Sequence, residues 1–209
     1  MTQERQPGAE ARIAPAAIAP APVSEAGRGK LLAWARAAIA AALGVGPELR
    51  IGDADLTDDL RAPHGAFVTL KEEGELRGCI GRLDFEVPLW KNVLRSAVSS
   101  ALEDPRFEPL AAGELPSLRL EISVLEPPVP LPDPAGFDPQ VHGIIVELRG
   151  RRALLLPKVA QEYGWDARKT LETVCWKAGL PPEAWRDPAA RLTVFTAFDF
   201  AEERGAGLS

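Results

Sequence analysis

The chain has 209 residues, with 24 lysines and arginines against 30 aspartates and glutamates, for a formal charge of −6. That length allows one domain or two small ones, and 46% hydrophobic with 26% charged residues is ordinary globular composition. The acidic balance argues against a general nucleic-acid binder, no run of about 18 apolar residues offers a membrane helix, and two distant cysteines make neither a disulfide framework nor a clustered metal site. The expectation is a soluble, cytoplasmic protein with no metal centre and no bound cofactor.

Residues 1–23 are rich in alanine and proline and have no hydrophobic period. They read as a disordered arm, with a short edge segment packed on the body as the alternative. A secretory leader is excluded because Glu10, Arg12, Pro15 and Pro20 interrupt every apolar run. Ser24 is a good N-cap for a helix carrying Leu31, Ala35, Ile39 and Ala42, and Gly44 is its natural stop. The aspartates at 53, 55, 58 and 59 that follow lack the pattern of a calcium loop and read as a solvated turn.

From Gly65 the pattern changes to strands. GAFVTLKE and LRGCIGRL flank the turn EGE as a hairpin. Pro88 then opens a helix whose apolar stripe is Leu89, Trp90, Val93, Leu94, Ala97, Val98, Ala101 and Leu102, and Asp104–Pro105 ends it. SLRLEISVL alternates Leu118, Leu120, Ile122 and Val124 against Arg119, Glu121 and Ser123, which predicts a half-buried strand. The proline-rich stretch Glu126–Pro139 reads as a surface connector between subdomains. Beyond it come a hairpin around Arg149–Gly150, a short helix from Pro157 to Tyr163, a longer helix capped by Asp166 and closed by Gly179, and a β-prone run, RLTVFTAFDF. Strands that arrive as hairpins predict α+β architecture with antiparallel sheets flanked by helices.

The most unusual chemistry is at Leu76-Arg77-Gly78-Cys79-Ile80-Gly81. Two glycines weaken a strand, a cost often tolerated where the backbone bulges or a ligand approaches closely. They clear space around the Cys79 sulfur. Arg77 would share its face by pleat alternation, unless Gly78 carries a bulge, and a nearby cation raises the thiolate fraction. The competing reading is a small buried strand residue.

LRGCIG resembles the hallmark motif of the AMMECR-type domain family, known in bacteria and archaea as AmmeMemoRadiSam system protein A. GAFVTLKEEGELRGCIG resembles the family's strand pair, DPRF at Asp104–Phe107 its post-helix segment, and LEISVLEPP its next strand. His142-Gly143-Ile144, LLLPKVAQEYGW and Lys177-Ala178-Gly179-Leu180-Pro181 resemble further landmarks, so the resemblance spans about residues 63–200. It implies two packed subdomains within residues 24–209, the second, roughly 137–190, inserted so that the C-terminal strand returns to the first. It also implies a component of a three-protein system with a Memo-like partner and a radical SAM enzyme, and a binding or active site at Arg77, Gly78, Cys79 and Gly81.

Only His64 and His142 are available as an imidazole base for Cys79, the competing role for each being a turn or cap residue. Arg106 and Lys158 are candidate cations for a carboxylate or phosphate, Arg106 alternatively pinning the helix end through backbone carbonyls. Glu121 reads as an acid/base or as a cross-strand partner of an arginine. Cys175 sits near a helix C-terminus, where the dipole disfavours a thiolate, and reads as packing; most of the five tryptophans read as core or helix anchors. Nucleotide-binding glycine motifs are absent, and two distant cysteines cannot hold a radical SAM cluster. Two functions stand: a substrate-handling or cysteine-dependent enzymatic component, or a non-catalytic module that binds a small ligand or its system partners through the LRGCIG surface.

Overall fold

The computed structural model describes residues 21–203. Ser24 caps α1 (Glu25–Ala42) by accepting the amide of Gly27 at 3.1 Å, which satisfies one of the free N–H groups that every helix start exposes. Leu31, Ala35 and Ile39 are fully buried, and Gly44 turns the chain away at a positive φ of 73°. The arm expected over residues 1–23 lies outside the described residues as far as residue 20. Val23, assigned to it by composition, is 1% exposed and belongs to the core.

The aspartate run forms a 3-10 turn at Asp53–Asp55 and a one-turn helix, α2 (Asp58–Arg61). Three of its carboxylates are exposed as expected, and Asp59 is partly buried. Partial burial pushes its pKa up, yet hydrogen bonds from the Thr57 hydroxyl and the Ser24 amide outweigh that and hold it at about 2.

The hairpin is β1 (Gly65–Glu72) and β2 (Glu75–Arg82), with Glu73 and Gly74 both at positive φ, as two-residue hairpin loops demand. After α3 (Leu89–Leu102) come β3 (Leu118–Leu125) and the two-residue β4 (Val129–Pro130). A second hairpin joins β5 (Gly143–Leu148) to β6 (Arg151–Leu155), followed by α4 (Pro157–Tyr163) and α5 (Ala167–Lys177). β7 (Arg191–Phe195) and β8 (Ala197–Ala201) complete the described chain. The strands form two four-stranded sheets, ordered β2-β1-β3-β8 and β4-β7-β5-β6, and the fold is α+β. The run RLTVFTAFDF, expected as one strand, breaks at Thr196, and its halves serve different sheets. Leu192 and Val194 enter one core, whereas Phe200 packs on the other. Strand propensity is local and does not record which sheet receives each half.

Residues 21–129 with 195–203 form one compact unit, and residues 130–194 form another. In the first unit α1 and α3 cover one face of an antiparallel sheet, onto which β1 turns Ala66, Val68 and Leu70 and β3 turns Leu118, Leu120, Ile122 and Val124. The buried face of α3 differs from its apolar stripe. Asn92, Ser96 and Ser100 are buried, while Trp90, Leu94, Val98 and Leu102 are only partly so. The reason lies in β1: Asn92 Nδ2 donates to the His64 carbonyl at 2.9 Å, Ser96 Oγ to Ala66 at 3.2 Å and Ser100 Oγ to Val68 at 2.8 Å. Four helical residues rise about 6 Å and two strand residues about 6.6 Å, so every fourth side chain of α3 meets every second carbonyl of β1.

The second unit packs Leu131, Phe137, Ile144, Val146, Leu171, Val174, Leu192 and Val194 together with Cys175. The Asp166 carboxylate caps α5 by accepting the Lys169 amide at 2.7 Å. In the proline-rich connector Val129 is exposed, but Leu131 and Phe137 anchor it into this core. Trp176 departs from the expected packing role, being 74% exposed. No helix among the described residues is long and apolar enough to cross a membrane.

Candidate functional site

β2 is an edge strand, and its backbone at Cys79 is held from outside the sheet. The Cys79 amide donates to Asp104 Oδ2 at 2.8 Å, and Arg106 Nη2 donates to the Cys79 carbonyl at 3.2 Å. Arg106 also closes a fork on Asp104, at 2.9 Å through Nε and 2.6 Å through Nη2. An ion pair thus takes the place of a neighbouring strand and covers polar groups that an edge would otherwise expose. The Asp104 side chain is 2% exposed, and the Arg106 guanidinium, helped by the Cys79 amide, holds its pKa at about 2 against the opposing effect of burial. DPRF therefore does more than end a helix. It clamps LRGCIG, and Arg106 differs from both expected roles in its partners, bonding the Asp104 carboxylate and a strand carbonyl, that of Cys79, rather than the carbonyls of the helix end.

Arg77 is placed differently from the pleat expectation. Leu70 faces Gly78 and Lys71 faces Leu76, so Arg77 is the extra residue of a bulge and alternation with Cys79 is broken there. Its Nε and Nη2 bind the Glu114 carboxylate at 2.7 and 3.2 Å, and Nη1 reaches the Glu108 carbonyl at 3.0 Å. The guanidinium holds the Glu114 carboxyl below its usual range and is itself neutralised by it. The cation bonded to Cys79 is Arg106, through the backbone.

Both glycines have packing partners. A β-carbon on Gly78 would stand 2.2 Å from the Ser100 carbonyl oxygen of α3, and one on Gly81 would stand 2.2 Å from the Phe67 ring. Ser100 is wedged between the strands: its hydroxyl accepts the Ile80 amide at 2.8 Å while donating to Val68.

On the sheet face away from α1 and α3, Cys79, Thr69 and Glu121 lie in register across three strands. Thr69 Oγ1 donates to Cys79 Sγ at 3.3 Å. Glu121 accepts from Lys71 Nζ at 3.1 Å across the strand pair and from Arg119 Nη1 at 2.6 Å on its own strand, so its cross-strand partner is a lysine and not the arginine expected. Ser123 bonds Asp199 on the same face. Cys79 is partly buried at the edge of this polar face, on which Thr69 and Ser123 are buried, whereas Cys175 is fully buried and burial pushes its thiol up.

His64 precedes β1, five residues from Thr69, which at about 3.3 Å per residue puts it about 17 Å along the strand from the Cys79 row. The hairpin does not bring the two together; His64 Nδ1 lies 3.8 Å from Glu126 Oε1 instead. His142 enters β5, its amide bonded to the Asp138 carbonyl, and Lys158 is the half-buried second residue of α4; both belong to the unit of residues 130–194. Among the described residues no three His, Cys, Asp or Glu side chains are grouped to hold a metal ion. Thr69, Asp104 and Ser100 were not foreseen as partners of the motif. Thr69 carried a signal, a hydroxyl in an otherwise apolar strand opposite LRGCIG, but Ser100 looked like a neutral helix residue.

The AMMECR1 family model matches residues 32–200. The chain belongs to the AMMECR1 family. A protein of Methanothermobacter thermautotrophicus is 43% identical to this AMMECR1 chain over 189 residues, covering 88% of this chain and 98% of its own length. One from Pyrococcus furiosus is 38% identical over 187 residues, covering 85% and 89% respectively. The crystal structure of an uncharacterised protein from Pyrococcus horikoshii is similar to it with a TM-score of 0.81 at 37% identity, over 87% of this chain and 94% of that one.

Proposed function

We propose that this AMMECR1 protein is a substrate-handling component that presents Cys79 to a small polar ligand on the Cys79–Thr69–Glu121 face. One observation carries the reading. Cys79 is fixed through both backbone groups by Asp104 and Arg106, yet the residue is only partly buried, with a hydroxyl donor at its sulfur, and belongs to neither hydrophobic core. Rigid placement of an accessible thiol is what a binding or reacting sulfur needs and what a packing cysteine does not. The Thr69 hydroxyl gives the sulfur a polar neighbour, and Glu121 with Lys71 and Arg119 offers a ligand both signs of charge to bind. In the three-protein system that the sequence resemblance implies, this chain would hold the substrate, while a radical SAM enzyme performs the radical step beside a Memo-like protein.

The binding-module alternative is favoured by the placement of Arg77 and His64, neither of which activates Cys79. Metabolite capture by the purified chain separates the two. If Cys79→Ala loses a ligand that the parent protein retains, the thiol is part of the site. Retention by Cys79→Ala favours the binding module, and an equal catch by the parent and a heat-unfolded control would sink both.

A further inference from the structure

A second feature of the first unit lies on the opposite side of its sheet from the Cys79 thiol. The end of β2 and the loop after it, residues 81–86, enclose with Arg95 of α3 an open pocket of about 590 Å³, within the range of small-molecule sites. Arg82 pairs with Ala66 in the ladder, so it points to the helix-covered side, where α3 carries Arg95. Arg82 Nε is buried and has no acceptor among the described residues. Arg95 is exposed at the pocket, and no ion pair joins either arginine to the two nearby acids, Asp84 and Glu86, among the described residues. Asp84 is otherwise engaged: one carboxylate oxygen accepts the Glu86 amide at 3.0 Å and its carbonyl accepts from Asn92 at 2.7 Å. Arg82 and Arg95 both line the pocket without a carboxylate partner among the described residues, and guanidinium groups in that position are suited to a carboxylate or phosphate oxygen.

We propose that this pocket binds a small molecule through a single carboxylate or phosphate group, held by Arg82 in the wall and Arg95 at the mouth. Phe85 supplies an apolar wall for the rest of the ligand. The exposed carboxylates of Asp84 and Glu86 repel a polyanion, which restricts the class to ligands with one anionic head. The inference is independent of the role proposed for Cys79.

Titration calorimetry of the full chain with inorganic phosphate and, separately, acetate at matched ionic strength tests it. Saturable binding of at least one anion is expected, and the preferred anion identifies the head group. Arg95→Gln, a change at an exposed position, should weaken that binding at least tenfold, and Arg82→Lys, which keeps the charge but removes the fork, should weaken it similarly. Cys79→Ser should bind as the parent does. No saturable binding of either anion, or equal affinity in the parent, Arg95→Gln and Arg82→Lys, overturns the proposal. Melting curves in anion-free buffer confirm that each variant is folded before its affinity is read.

Discussion

The Ser100 carbonyl oxygen lies 2.2 Å from where a β-carbon on Gly78 would stand. The last turns of α3 sit so close to β2 that only a residue without a side chain fits beneath them. Close approach lets the Ser100 hydroxyl reach the Ile80 amide and the Val68 carbonyl at 2.8 Å each, so α3 is fastened between two strands of the sheet.

Gly78→Ala should therefore destabilise the protein by about 3 kcal/mol, because the obstacle is backbone and cannot rotate away. Urea unfolding checks this as a lower midpoint at unchanged slope. Gly29→Ala is the contrasting change: that glycine lies inside α1 with nothing within 4 Å of its β-carbon position, so alanine should be neutral or stabilising. Equal behaviour of the two variants would show that Gly78 is not a packing requirement.

The elements were largely legible because they rest on local signals. Ser24, Asp166, Gly44 and Gly179 mark helix ends through cap chemistry and positive φ, and the two hairpins announce themselves by turns at Glu73–Gly74 and Arg149–Gly150. LRGCIG and DPRF were also legible, as separate landmarks of a family resemblance and not as contacting segments. What escaped was long-range pairing. That Asp104 would meet the Cys79 amide, or Glu114 the Arg77 guanidinium, depends on how α3 and the chain after it return to the β2 edge. The bulge at Arg77 moved its charge away from the alternation on which the thiolate argument rested. The serine stripe of α3 was not legible, because nothing in the helix itself records that β1 leaves carbonyls for it.

Asp104 makes the clamp on LRGCIG sensitive to acid. Its carboxyl is held at about 2 in the folded chain, below the ordinary aspartate value of 3.8, so the folded state binds fewer protons than the unfolded one between those pH values. Its contribution, roughly 2 kcal/mol, is fully present above about pH 4 and disappears as pH falls through about 2. Asp104→Asn should be less stable than the parent near neutrality, and the gap should narrow as pH is lowered from 5 to 2. Denaturant melts of both proteins across that interval measure it. A gap that stays constant down to pH 2 would mean that the ion pair with Arg106 does not depend on the charge of Asp104.

The two thiols provide the sharpest test of the site. Cys175 is fully buried in the second core, and burial raises its pKa, so alkylation there requires opening of the fold. Cys79 is only partly buried, with the Thr69 hydroxyl donating to its sulfur at 3.3 Å. Iodoacetamide at neutral pH should label Cys79 in the native protein well before Cys175, and peptide mass analysis of a time course resolves the two. Exposure alone would produce that order, so the informative variant is Thr69→Val, which keeps the branched shape and removes the donor. If the hydroxyl holds the sulfur in its reactive orientation, the Cys79 rate in Thr69→Val should differ severalfold from the parent, and an unchanged rate would mean that the hydroxyl plays no part at the site. Cys79→Ser should remain folded, since Asp104 and Arg106 hold the backbone and not the sulfur. A native protein in which Cys79 reacts no faster than Cys175 would place the sulfur out of reach of any ligand, and the polar face of the sheet would then have to act without it.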